Sequence, residues 1–256
     1  MERIRLVPFT VNFDLVKKVD TVLVYILYLS VILGVSTLLA DRFIHNDIEA
    51  FTDNINYVIG VLAVFYFLGD FTKRFLLQQA EQRRRKDFID NSLKTNLVDF
   101  KSQGFFSNDE LSPGVYKMGV NCFENSFFSM TISGKMIART VILSLFVILI
   151  FCMLVMTDSK ITVATFLQFA LPYSILQQTI VLIIYHLQIT SIFNYFKLLF
   201  SSAQEDKRNH LLVHNVINYE STISWAGLLL SSKLFNKYNA ELSKQWEQLK
   251  LDHQIQ

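Results

Sequence analysis

The chain is predicted to be an all-α membrane protein with four transmembrane helices, cytoplasmic N and C termini, a helical cytoplasmic loop and a helical C-terminal tail. Three observations predict this. First, residues 21–40, 140–157 and 161–196 contain no Asp, Glu, Lys or Arg. A helix that crosses the hydrocarbon core needs about 20 largely apolar residues, and three such runs argue against a buried soluble bundle. Second, 22 of the 24 Lys and Arg residues fall in segments 1–20, 70–139 and 197–256, while 41–54 and 158–160 hold one each. Basic residues collect on the cytoplasmic side, so an even number of spans with both ends inside fits the pattern. Third, 52% of residues are hydrophobic and 18% charged, against about 25% charged in an ordinary soluble domain. This composition excludes intrinsic disorder. Two cysteines exclude a disulfide scaffold. A net charge of +2 argues against a nucleic-acid partner.

Residues 1–20 form the cytoplasmic N-terminal segment, and 21–77 the first transmembrane hairpin. The first run exceeds the roughly 7–15 apolar residues of a signal peptide, and Glu2, Asp14 and Asp20 interrupt its leader, so it is expected to stay as an anchor. Ser30 and Gly34 form a small-xxx-small pair suited to close helix contact. The second span, 55–69, is followed by Asp70, Lys73 and Arg74. The two basic side chains can snorkel to the interface, and Asp70 can pair with Arg74 one turn on.

Residues 78–136 make up the cytoplasmic loop region. Good helix formers carry the second helix through Gln78, Glu81 and Gln82 to Arg83, Arg84, Arg85 and Lys86, with no Gly or Pro before Gly104. Turn residues then cluster at Gly104, Ser107, Asn108, Asp109, Ser112, Pro113 and Gly114. Phe123, Phe127 and Met130 follow at helical spacing, with Phe128 beside them. Two placements fit: a helix lying along the membrane surface, or a loop helix packed on its neighbours.

Residues 137–196 form the second transmembrane hairpin. Its last run of 36 uncharged residues is too long for one perpendicular crossing at about 1.5 Å per residue. Pro172 removes a backbone bond, which predicts a kinked helix or a short lead-in segment before the span proper. In the helical tail, 197–256, Leu228, Phe235, Leu242 and Leu249 recur every seven residues with Tyr238 and Trp246 alongside. This stripe suits packing on the inside loop or association between subunits.

No Walker loop, dinucleotide fingerprint, GxSxG or HExxH occurs, so neither catalysis nor a cofactor is expected. His210 and His214 lack a third ligand for a metal and read as a solvated face. Cys122 falls in the inside loop and Cys152 in a span, which predicts no disulfide. Arg83, Arg84, Arg85 and Lys86 are candidates for binding lipid phosphate at the membrane face or a phosphorylated ligand such as a nucleotide. Gln168, Ser174, Gln177 and Gln178 lie around Pro172 in the fourth run. Unsatisfied polar groups are costly in lipid. These residues therefore join helices or subunits, or line a polar path opened by oligomerisation.

The layout resembles the four-transmembrane effectors of bacterial anti-phage systems, some linked to cyclic-oligonucleotide signalling. The segments that carry the likeness are QQAEQRRRKDFIDNSLKTNL (78–97) and NCFENSFF (121–128), both in the inside loop. The resemblance implies a toxin-like protein of the inner membrane that perturbs or permeabilises the bilayer when its cytoplasmic part is triggered. Its implied partners are membrane lipid, further copies of the chain, and a cytoplasmic sensor protein or signalling nucleotide. One rival is a channel or transporter subunit, for which Asp70 is the one candidate charge near a span. The other is a membrane enzyme acting on lipid, for which Asp87, Asp90, Glu124 and His186 are the groups to gather.

Overall fold

An uncharged run in lipid must satisfy its own backbone polar groups, and a helix does so within one segment. The structure, a computed structural model, describes residues 7–43, 49–157, 163–202 and 205–255. The described residues form six helices and no strand: α1 (Thr10–Phe43), α2 (Glu49–Leu93), α3 (Val115–Thr157), α4 (Val163–Ser202), α5 (Glu205–Ala226) and α6 (Ser232–Asp252). The first four are long and apolar enough to cross a membrane.

α2 continues unbroken past the basic cluster, as its helix formers predict, and ends where Lys94 adopts a positive φ of 57°. α3 joins the aromatic segment and the third uncharged run in one helix. α4 is also continuous through position 172. The expectation of a separate lead-in segment is therefore corrected: a proline costs one ladder bond, and the remaining bonds carry the helix on. The side chains of Gln168 and Pro172 lie outside the described residues.

The tail departs from its heptad reading. Gly227, at φ 53°, stops α5, and Leu228 falls in the connection rather than on a helix. A left-handed residue at a helix end favours glycine. α6 then restarts with Ser231, whose hydroxyl accepts from the Leu234 amide at 3.3 Å.

The chain divides into two compact units. One comprises residues 14–76 and 139–180 and holds most of the uncharged length. Here α1 and α2 approach closely at Gly69, where a Cβ would lie 2.5 Å from Leu23 Cδ2. Lys73 bridges Asp20 of α1 (3.1 Å) and Asp70 of α2 (3.2 Å), and Arg74 pairs with Asp70 at 2.8 Å. Ser30 and Gly34 are both buried, and the Ser30 hydroxyl donates to the Ile26 carbonyl of its own helix. Tyr25, Tyr57, Phe65, Phe67, Ile142 and Phe146 are exposed on this unit. Such outward apolar side chains suit contact with acyl chains rather than water.

The other unit comprises residues 1–13, 77–138 and 181–256. Its centre is Phe123, fully buried. The ring stacks on Phe200 at 5.4 Å, meets Trp246 edge-on at 5.2 Å, and lies against Phe193 and Phe196. Phe127 also packs on Phe193. Phe123 and Phe127 thus pack inside protein, and the membrane-surface placement is corrected to the packed-helix one. α3 approaches α5 at Gly119, whose Cβ would meet Leu212 at 2.8 Å, and α4 at Gly134, whose Cβ would meet His186 at 3.0 Å. The end of the tail returns to α4, with His253 Nδ1 2.8 Å from Ser201 Oγ.

Trp246 is 1% exposed, and its indole N–H donates to Ser107 Oγ at 3.0 Å. Trp246→Ala leaves a cavity against Phe123 and is expected to destabilise this unit by about 3–5 kcal/mol. Chemical denaturation of the detergent-solubilised protein, followed by near-UV circular dichroism, measures this loss.

Candidate functional site

Two groups of polar side chains lie in the unit formed by residues 1–13, 77–138 and 181–256. The first is built on the basic run of α2. Arg84 is nearly buried and bridges Glu81 (2.7 Å) on its own helix and Glu220 (2.6 Å) on α5. Arg85 donates to the same Glu220 oxygen at 3.0 Å and to Ser224 Oγ at 2.5 Å. Arg83 turns to Asn12 Oδ1 at 3.0 Å. Lys86 is exposed and has no ion-pair partner among the described residues. Burial alone would ease the proton off Arg84, but Glu81 and then Glu220 outweigh it and hold the guanidinium more firmly charged than usual. Two of the four cations are thus committed to a carboxylate 135 or 136 positions away.

One turn further along α2, Asp87 and Asp90 are almost fully buried. Asp90 accepts from the amides of Leu97 and Val98 at 2.8 and 2.9 Å and from the Thr95 hydroxyl. Asp87 accepts from the Ser102 amide at 2.8 Å and from its hydroxyl. Burial pushes the Asp90 carboxyl up, yet the Thr95, Leu97 and Val98 donors together hold it below the usual carboxylate range. These two acids fold the 95–102 connection onto the helix end.

The second group lies around Asn121 and Glu124 of α3. Asn121 Nδ2 donates to Asn91 Oδ1 at 2.9 Å, and its Oδ1 accepts from Asn108 Nδ2 at 3.0 Å. Glu124 accepts from Asn108 Nδ2 at 2.8 Å and from Ser107 Oγ at 2.9 Å. Ser107 Oγ in turn accepts from Trp246 on α6. The network links α2, the connection before α3, α3 itself and α6. Burial lifts the Glu124 carboxyl to about 7, against the donors Ser107 and Asn108 and the charge of Lys250.

The expected residues of the fourth run separate into two kinds. Ser174 Oγ bonds Tyr66 Oη of α2 at 2.7 Å, and the neighbouring Thr179 bonds Ser144 of α3 at 2.5 Å. Gln177 and Gln178 are exposed, and neither has a hydrogen-bond partner among the described residues. His210 and His214 are exposed too, with His214 bonded to Asn218. Cys122 and Cys152 are free, and no group of three metal-ligating side chains occurs among the described residues. Asp87 and Asp90 hold a loop, Glu124 sits in the Asn121 network, and His186 bonds Ser133 Oγ at 2.9 Å.

Sequence reading missed Glu220 and Ser224, because nothing local marks a partner so far along the chain. It also missed the Asn121 and Glu124 network. The available sign was two polar residues three apart on a helix whose aromatic residues already point inward. With this geometry in view, no protein-family model, curated protein or solved structure matches the chain.

The Glu124 carboxyl gives a pH signature. A raised folded-state pKa contributes stability that is complete below the ordinary value near 4.5 and is lost as pH rises through about 7. The unfolding temperature of the solubilised protein is therefore expected to fall between pH 5 and 8, with a Glu124 contribution of at most about 3 kcal/mol. Glu124→Gln removes that part of the slope, which differential scanning fluorimetry across the range detects.

Proposed function

We propose that this protein is a membrane effector of the anti-phage, abortive-infection type: a multi-pass protein of the bacterial inner membrane with both termini in the cytoplasm. A ligand or sensor protein acts on the unit built from 1–13, 77–138 and 181–256, and copies of the chain then associate and make the bilayer leaky. The observation that carries this reading is the pair Gln177 and Gln178, exposed on α4 within an uncharged stretch and without partners among the described residues. In lipid an unpartnered carboxamide favours a second protein surface, and interhelical hydrogen bonds of this kind contribute about 1–2 kcal/mol in model peptides. Copies that pair these amides gather polar groups around a shared axis, which admits water and ions. The distribution of Lys and Arg supports the orientation.

The test is expression in bacteria with readout of a potentiometric dye and of propidium entry, with and without phage. Wild-type cells are expected to depolarise and stop growing during infection or on strong overproduction. The double variant Gln177→Leu, Gln178→Leu is expected to reach the membrane in equal amount and to retain most of the potential. Normal growth and potential of wild-type cells in both conditions would sink the effector reading. Equal depolarisation by the double variant would remove the two amides from the path.

A further inference from the structure

We propose that a groove between α2, α3 and α5 binds an anionic amphiphile with a single alkyl chain, headed by a carboxylate or a phosphate. The groove encloses about 410 Å³, within the range of roughly 300–1,000 Å³ usual for small-molecule sites. It lies wholly inside the unit of residues 1–13, 77–138 and 181–256, and it stands apart from the effector reading.

Its two ends differ in chemistry. Phe88 and Ile89 of α2, Met118 of α3, and Val213, Val216 and Ile217 of α5 give one end an apolar floor. Arg85 of α2 and Glu220, Ser221 and Ser224 of α5 line the other. The Arg85 bonds to Glu220 and Ser224 fix the register of the two helices, so both change from polar to apolar at the same level. Val213 and Ser224 are separated by about 16 Å of helix, the length over which this change occurs.

The head end carries donors that are not consumed. Arg85 spends Nε on Glu220 and Nη2 on Ser224, which leaves Nη1. Ser224 accepts from Arg85, so its own proton is free to donate, and Ser221 is exposed beside it. Among the lining side chains Arg85 is the one cation and Glu220 the one carboxylate. The unused Arg85 Nη1 with the adjacent Ser221 and Ser224 hydroxyls suits carboxylate or phosphate oxygens. The floor selects an alkyl chain. Phe88 is only 2% exposed and offers no ring face on which a nucleobase could stack.

The full-length protein in maltoside detergent is exposed to a 16-carbon fatty acid bearing a diazirine near its methyl end, irradiated, and mapped by peptide mass spectrometry. Label is expected on peptides containing Ile89, Met118 or Val213 to Ile217. The methyl ester of the same probe, which lacks the charge, is expected to label at least about tenfold less. Ile217→Asp changes a side chain that is 58% exposed, so the variant keeps its melting temperature while labelling of the groove falls by a similar factor. Competition by unlabelled palmitate or by lysophosphatidate supports the site and tells a carboxylate source from a phosphate source. Four outcomes overturn it: label confined to 21–40, 140–157 and 161–196, equal labelling by the ester, labelling indifferent to Ile217→Asp, or competition by ATP or a cyclic dinucleotide instead.

Discussion

The burial of one ring, Phe123, sets conditions that the surrounding unit has to meet. Stacked on Phe200 and capped edge-on by Trp246, it ties α3 to α4 and α6. On other faces of the same helix Asn121 is fully buried and Glu124 partly so. A buried polar group without a partner is costly. The connection before α3 answers this, bringing Ser107 and Asn108 to Glu124 and Asn121. That connection thus closes over the polar side of α3. Trp246 serves both sides, with its ring on Phe123 and its N–H on Ser107.

Much of the fold was legible in the residues because lipid is a demanding solvent. Runs without charge, such as 21–40 and 140–157, have few destinations other than a membrane-spanning helix. The extension of α2 through Arg83 to Lys86 followed from propensity alone. What was not legible depended on the identity of an apolar neighbour. Phe123 and Phe127 have the same spacing whether they meet acyl chains or other side chains, and only the presence of Phe193, Phe200 and Trp246 decides between them. The seven-residue stripe of the tail had a similar weakness. It counted Leu228, yet Gly227 ends the helix just before it. At the candidate sites the cations were visible, whereas their committed partner Glu220 and the Asn108 contact were not, since each depends on long-range packing.

The unit of residues 14–76 and 139–180 treats its polar side chains in two ways. Ser144 with Thr179, and Tyr66 with Ser174, join neighbouring helices through hydroxyl pairs. Lys73 is shared by Asp20 and Asp70. These groups find hydrogen-bond partners inside one chain. Gln177 and Gln178 have no such partner among the described residues. Their contrast with adjacent residues on the same helix, rather than polarity as such, distinguishes them.

The meeting of His253 with Ser201 closes a loop of 52 positions. One neutral hydrogen bond of this kind contributes about 1 kcal/mol. Most of the hold on the tail therefore comes from the apolar side of α6, where Trp246 and Leu242 are buried and Phe235 and Leu249 pack on the core. Phe235 against Phe128, Tyr238 against Lys135 and Lys250 against Glu110 hold the rest of α6 in place. The departure of α6 would strip the cover from Phe123 and open the Ser107 junction in the same stroke.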